Sequence, residues 1–537
     1  MSELLVTGAR IWDGRSLIDA EAVLIERGLV SALGDAAELA VRVPGARRIE
    51  ARGATVTPGL CDAHVHLAPW ARSLSQLDLH GIGSLDEALE RVREAASRGE
   101  GVLVGRGWDE SRWGSPPDRW KLDAAARGRP VLLHRHDFHA LWVDSVALDR
   151  AGITRATPDP DGGCFERDAA GDPTGIVREN AVRAFLALEA AAGPPLDAAL
   201  AATAASALHQ RGITWVHDYQ RSAEELQWSQ ALARTGQLRV MQNVGEAQLE
   251  GLLAAGVTSG TGDDRFRVGA LKLFADGTLG SRTAAMIEPY DDHGATGLSM
   301  YSPQDLARLV QRAILGGISV TIHAIGDRAV RDALDAFASV PAEARQRLAI
   351  APRIEHVQLA QRADLDRFSE LGIVASMQPQ HCVTDWEVAT RAWGSRVEGS
   401  YPWRSLLDRG VLLVFGSDAP VEPPDPWLGL HASMTRRRPD GSPAGGFIPS
   451  QCLTLDEALR AYTSAAASVA GCTGRLGAIA PGAEGDVVIW DRDLHAADPD
   501  DLLTARPRCT VMAGRIVYES VSAARTPGPS APSGKTP

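Results

Sequence analysis

The sequence predicts an α/β fold: a (β/α)8 TIM-like barrel with a composite β-sandwich domain built from both termini and an insertion between the first and second barrel strands. Three observations lead there. Eight short apolar runs alternate with helical stretches through the middle of the chain, as βα repeats around a closed parallel barrel would. β-rich runs broken by Gly and Asp turns occur near both ends, so the termini are expected to meet in one sheet domain. The gap between the first and second middle runs, about 71–210, is too long for one crossover.

In chain order, the first β-rich runs are 4–12 and 22–33, and the same texture returns at 485–490 and 509–518. This places a composite β-sandwich domain over 1–57 and 474–520, with the barrel over 58–473. The barrel strands are expected at 55–61, 213–218, 238–244, 268–274, 319–324, 353–357, 373–378 and 412–418. Helical periodicity fills the gaps, for instance at 303–315, 329–338 and 363–371. Within the insertion, Gly105-Arg106-Gly107-Trp108-Asp109-Glu110 and the run from Val131 to Trp142 have the texture of ordered structure, and are expected to shape a pocket or lid. The tail 521–537 is poor in apolar residues and rich in Pro, Ser and Gly, which predicts disorder.

Composition narrows the partners. A formal charge of −13 in 537 residues disfavours nucleic acid and anionic membrane. Arg436-Arg437-Arg438 is the nearest basic cluster and reads as a surface turn. No apolar run reaches 18 residues, and the N-terminus lacks a basic segment followed by an apolar one, so a cytoplasmic protein is expected. The six cysteines have no CxxC spacing and read as reduced thiols. Cys61 lies an odd offset from His64, on the other face of a strand, and is assigned to the core.

The strand ends carry the chemistry. His64 and His66 stand two apart, so a strand aims both imidazoles at one point. Lys272 lies on the fourth strand, His323 ends the fifth, His356 the sixth and Asp418 the eighth. The C-terminal strand ends of a barrel converge on one rim. Each residue alone has a structural reading: a satisfied core histidine, a helix cap at Asp418, an ion pair of Lys272 with Asp276 or Glu355. Together, four histidines, a carboxylate and a lysine fit one or two borderline divalent metals, with zinc foremost. A lysine beside such metals is pushed towards the neutral amine, which can add carbon dioxide and become a bridging carbamate. The alternative keeps Lys272 an amine, with one metal.

Pro58-Gly59-Leu60-Cys61-Asp62-Ala63-His64-Val65-His66, Leu271-Lys272-Leu273-Phe274-Ala275-Asp276-Gly277, Ile322-His323-Ala324-Ile325-Gly326-Asp327, Arg353-Ile354-Glu355-His356 and Gly416-Ser417-Asp418-Ala419-Pro420 together resemble the amidohydrolase superfamily, in its YtcJ-like, N-substituted formamide deformylase-like branch (amidohydrolase family 3). The resemblance runs from the N-terminal β-segment to about 518 and includes Gly107-Trp108 and His136-Asp137-Phe138-His139-Ala140-Leu141-Trp142 in the insertion. It implies that His64, His66 and Asp418 bind the more buried metal, that carboxylated Lys272 bridges to a second, and that His323 and His356 hold that second metal. It also implies that Asp418 is the general acid/base, moving a proton from metal-activated hydroxide to the leaving amine. Bound Zn2+ lowers the pKa of water to about 7 and polarises a carbonyl, so no serine or cysteine nucleophile is needed.

The expected function is hydrolysis of a C–N bond in an amide, N-formyl, N-acyl or cyclic amide. The alternatives are ester or lactone hydrolysis, deamination or isomerisation at the same site, or an inactive barrel serving as a binding protein. His139, Trp108, Gln378, His381 and Arg282 are candidate substrate contacts. The 13 tryptophans hint at an aromatic-tolerant pocket, although core packing accounts for them equally. A small molecule is the expected partner, and the resemblance admits a homodimer.

Overall fold

The computed structural model of the chain describes residues 3–79, 81–110, 113–135, 140–160, 163–190, 193–219 and 222–520. His139 and the tail 521–537 lie outside the described residues. The chain divides into two compact units, Met1–Trp70 with Asp197–Pro537, and Ala71–Leu196.

The first unit is built around eight parallel strands. They are β1 (Leu60–Val65), β2 (Ile213–Tyr219), β3 (Arg239–Gly245), β4 (Phe266–Phe274), β5 (Val320–Ala324), β6 (Arg353–His356), β7 (Val374–Met377) and β8 (Leu413–Phe415), paired in sequence order. Their apolar runs are buried, as parallel strands covered on both faces must be. The first and last strands meet through a parallel bridge between Val65 and Ala419. The Asp418 amide donates to His64 O at 2.7 Å and the His66 amide donates to Ala419 O at 2.9 Å. Gly416 permits this approach, because a Cβ there would lie 2.3 Å from the His64 nitrogen. At the opposite end of the strands, Cys61, Trp215, Met241, Val374 and Val414 pack with Ala465, Ala466 and Val469.

The helices follow from local sequence. Pro303–Leu315 starts at the Ser302 cap with proline in its first turn and buries Leu306, Val310, Ala313 and Ile314 at helical spacing. Arg362–Leu371 stops at Gly372, whose φ of 67° only glycine adopts cheaply.

The expected first strand, 55–61, is two strands. Thr55–Pro58 belongs to a different sheet, and the chain bends at Gly59 before β1. A side chain at Gly59 would lie 2.3 Å from Thr214 Oγ1, so the bend needs glycine. That other sheet joins Arg10–Ile11, Thr55–Pro58, Val487–Trp490, Pro507–Met512 and Arg515–Glu519, strands from both ends of the chain. A second sheet holds Leu4–Thr7, Ala22–Glu26, Leu29–Gly34 and Arg47–Glu50. Val6, Val23 and Ile25 of one sheet share a core with Val56, Ile489 and Val511 of the other, giving the sandwich expected from the terminal β-runs.

The unit Ala71–Leu196 has its own six-stranded sheet, with Val131–Arg135 between Leu103–Trp108 and Ala140–Val143. Its core stacks Trp108, Trp113 and Trp142 with ring centroids about 6 Å apart. Trp108 is fully buried there and donates its Nε1–H to Leu133 O at 2.6 Å, so it is a packing residue of the insertion rather than a substrate contact. The helix Ala198–His209 belongs to the barrel unit, so the chain leaves the insertion earlier than the expected 210. Among the described residues no helix is long and apolar enough to cross a membrane.

Candidate metal centre

The rim at the C-terminal ends of the barrel strands gathers the predicted ligands. His64 comes from β1 and His66 from the residue just beyond it, and their Nε2 atoms lie 3.4 and 3.3 Å from Asp418 Oδ1. One ligand atom each of His64, His356 and Asp418 lies within 4.8 Å of the others. The His323 ring stands edge-on to His356, centroids 4.4 Å apart. Lys272 is buried on β4, its Nζ 4.6 Å above the Tyr219 ring, and that ring stacks on His64 at 4.0 Å.

Backbone strain marks the site. Asp418 and His356 have φ values of 59° and 74°, in the left-handed region that non-glycine residues avoid. Regular alternation along β6 would put His356 on the face opposite Arg353 and Glu355. The left-handed turn at its end goes with a His356 ring that joins the site.

Every candidate histidine has one ring nitrogen already engaged. His64 Nδ1 donates to Glu355 Oε2 at 2.7 Å, His66 Nδ1 to Tyr219 O at 2.7 Å, and His356 Nδ1 to Gln378 Oε1 at 2.8 Å. His323 is reversed: its Nε2 donates to Gly277 O at 2.9 Å. The acceptors set the tautomers, leaving three Nε2 lone pairs and one Nδ1 lone pair for a ligand. Burial pushes His64 down to about 4, His323 to about 3 and His356 well below its ordinary value, so the imidazoles are neutral donors. Burial pushes the Asp418 carboxyl up, but His64, His66 and His356 outweigh it and hold it well below the carboxylate range. Burial lowers Lys272 to about 8, and its Nζ finds no hydrogen-bond partner among the described residues. Neutral imidazoles, an ionised carboxylate and an orphaned amine are a donor set that fits divalent metal.

A second layer was not singled out from sequence. Glu355 takes His64 Nδ1 on one oxygen and the Tyr219 hydroxyl, at 2.6 Å, and Thr321 hydroxyl on the other, with Arg353 Nε 2.9 Å away. Arg353 also donates to His217 Nδ1 at 2.9 Å and to the Tyr219 hydroxyl at 2.6 Å. Burial would raise the Glu355 carboxyl, yet Arg353 and His64 hold it well down. The readable signal was two charged residues alternating in a strand expected to be buried on both faces. Asp62 accepts from the His64 and Ser417 amides at 3.1 and 3.0 Å, tying the two strands of the seam. Asp276 accepts from Ala285, Ile325 and Gly326 amides at 2.9, 3.1 and 2.8 Å, which joins the loops after β4 and β5 beneath His323.

Of the expected substrate contacts in this unit, Gln378 orients His356 and so supports a ligand. His381 is buried with its ring nearly parallel to His356, centroids 5.9 Å apart, and its Nε2 finds no hydrogen-bond partner among the described residues. Arg282 is engaged by an ion pair with Asp292 at 2.5 Å and lies over Tyr290, so it is a loop brace.

Known proteins resemble this chain along nearly its whole length. The model of the amidohydrolase family matches residues 47–518. The putative amidohydrolase YtcJ of Bacillus subtilis is 32% identical, covering 93% of this chain and 96% of that protein. The N-substituted formamide deformylase of Arthrobacter pascens is 29% identical over 97% of this chain and 99% of its own length. Among solved structures, an uncharacterized metal-dependent hydrolase from Pyrococcus furiosus superposes with a TM-score of 0.73 at 28% identity, covering 90% of this chain and 98% of that one.

Proposed function

Because the chain belongs to the amidohydrolase family, in which metal-dependent hydrolysis is the common chemistry, we propose that its barrel site cleaves the C–N bond of a small amide, N-formyl, N-acyl or cyclic amide substrate. The carrying observation is the convergence of His64, His66 and His356 on Asp418, with the His323 ring edge-on to His356 and each imidazole turned by a partner on its other nitrogen. The name of the Arthrobacter pascens relative favours the amide over the ester.

In this reading His64, His66 and Asp418 would hold one zinc ion, and His323 with His356 a second. Lys272 would bridge them as a carbamate: its neutral amine lone pair adds to carbon dioxide, an N–C bond forms and one proton leaves. A bound divalent ion supplies a water of lowered pKa and a Lewis acid for the carbonyl. The protein supplies the rest. Asp418, ionised and 3.3–3.4 Å from two ring nitrogens, is placed to take a proton from the attacking water and return it to the departing amine. Glu355 keeps the His64 proton on Nδ1, and Gln378 does so for His356. The net charge of −13 suits a neutral or cationic small molecule better than nucleic acid.

The test is metal content by mass spectrometry, with turnover of a panel of N-formyl amines, N-acyl amines, lactams and matched esters. The expected result is bound zinc and amide hydrolysis, both lost in the His64→Ala/His66→Ala variant. Labelled bicarbonate should give a carbamate carbon signal that Lys272→Met removes. A protein that binds no metal, or one that turns over esters and leaves amides intact, overturns the reading.

A further inference from the structure

We propose that Phe274, with Val421 on the loop across the barrel, reads an apolar substituent on the substrate; this rests on the hydrolytic reading above. Phe274 ends β4 and pairs in register with His323 of β5. Its ring lies 5.3 Å from the His323 ring and 5.0 Å from Lys272 Nζ. Both neighbours are 7% exposed, yet Phe274 is 48% exposed. A large ring left half in water while touching two candidate ligands loses apolar burial that a substrate can restore. Val421 is 54% exposed, and its amide donates to Asp418 O at 2.9 Å, three residues beyond the acid/base candidate. β4 and β8 stand four strands apart in a cylinder of eight, so these loops flank the mouth from opposite sides. A substrate reaching Asp418 and His323 passes between two apolar side chains. Neither offers a hydrogen bond, so the site gains from a hydrocarbon group and gains nothing from a polar one.

The experiment uses the zinc-loaded full chain and two homologous series. One is N-methyl-, N-propyl- and N-hexylformamide; the other is the N-methyl amides of acetic, butanoic and heptanoic acids. In at least one series kcat/KM should favour the longest member by roughly 10-fold or more. Phe274→Ala should cut that ratio below about 3-fold, and Phe274→Leu should restore part of it. Val41→Ala, at a residue 82% exposed on the β-domain helix Ala36–Arg42, should leave the ratio as it is. The series that loses its length dependence identifies the side of the scissile bond that Phe274 contacts. A length preference that survives Phe274→Ala, or none in either series, overturns the proposal. Calorimetric binding of N-hexylacetamide and of N-methylheptanamide, each against N-methylacetamide, covers both sides of the bond and keeps the two readings apart. A protein that hydrolyses no amide refutes the reaction, and the binding ratio in Phe274→Ala still decides the contact. An unchanged or absent ratio refutes it.

Discussion

Glu355→Gln is the most informative single change to this site. The substitution keeps volume and removes one oxygen and the charge. In the native arrangement one oxygen faces Tyr219, Thr321 and Arg353, and the other takes His64 Nδ1. A glutamine can keep its oxygen towards the first group. Its NH2 then faces His64 Nδ1, which must become an acceptor, and the imidazole proton moves to Nε2. That nitrogen loses the lone pair aimed at the centre. Loss of such an outer partner lowers metal affinity by roughly 10- to 100-fold. Independently, Arg353, fully buried, loses its carboxylate, which costs roughly 3–5 kcal/mol of stability. Two assays separate the effects. Urea unfolding of metal-free protein reads the Arg353 loss, and zinc competition against a chromophoric chelator reads the His64 tautomer. Unchanged zinc affinity, together with stability within about 0.5 kcal/mol of the parent, would refute the argument that Glu355 serves both as counter-ion and as tautomer lock.

Two further outcomes follow from residues around the barrel. Gly416→Ala places a methyl 2.3 Å from the His64 nitrogen and 2.8 Å from Asp62 Oδ1, so it should cost about 2 kcal/mol or more in thermal unfolding and lower bound zinc. His209, buried on the helix Ala198–His209, is pushed by burial from its ordinary 6.5 down to about 4. Its folded pKa is depressed, so the unfolded chain takes up the proton first. The stability His209 contributes is present above pH 6.5 and is lost as pH falls towards 4, by about 3 kcal/mol. Relative to wild type, His209→Gln should therefore gain stability as unfolding is followed from pH 7 to pH 4; parallel profiles would contradict the assignment.

The barrel was legible because parallel strands buried on both faces read as short, nearly continuous apolar runs, and polar residues at their ends stand out. His323 after Val320-Thr321-Ile322 is such a case. Pro58-Gly59 is a turn signal, but Thr55-Val56-Thr57 and Leu60-Cys61 both have strand texture, and only the tertiary pairing shows that they belong to different sheets, with Thr214 crowding Gly59. The ligand histidines could be named from strand position, but the partners that turn them could not. Tyr219 contributes to His66 through its backbone carbonyl, a group every residue has. Glu355 entered the sequence reading only as an ion-pair partner of Lys272, because pairing across β1, β2, β5 and β6 decides what it meets. Trp108 was misassigned for a general reason: a tryptophan beside a charged turn reads alike whether it lines a pocket or fills the insertion's core.

The seam between β1 and β8 has a consequence for synthesis. The Asp62–Ser417 hydrogen bond that ties it joins positions 355 residues apart. At roughly 5–20 residues per second, a ribosome adds the missing partner roughly 20 to 70 seconds after β1 emerges. Until Ile213–Tyr219 is made β1 has neither barrel neighbour, and from then on it can pair with β2 on one side only, its other edge an open template for any passing strand. His64 and His66 sit on that edge without Asp418. The last barrel strand to be made therefore closes the barrel and completes the ligand set in one event, and a chain cut short before residue 416 would be both open-edged and unable to assemble the centre.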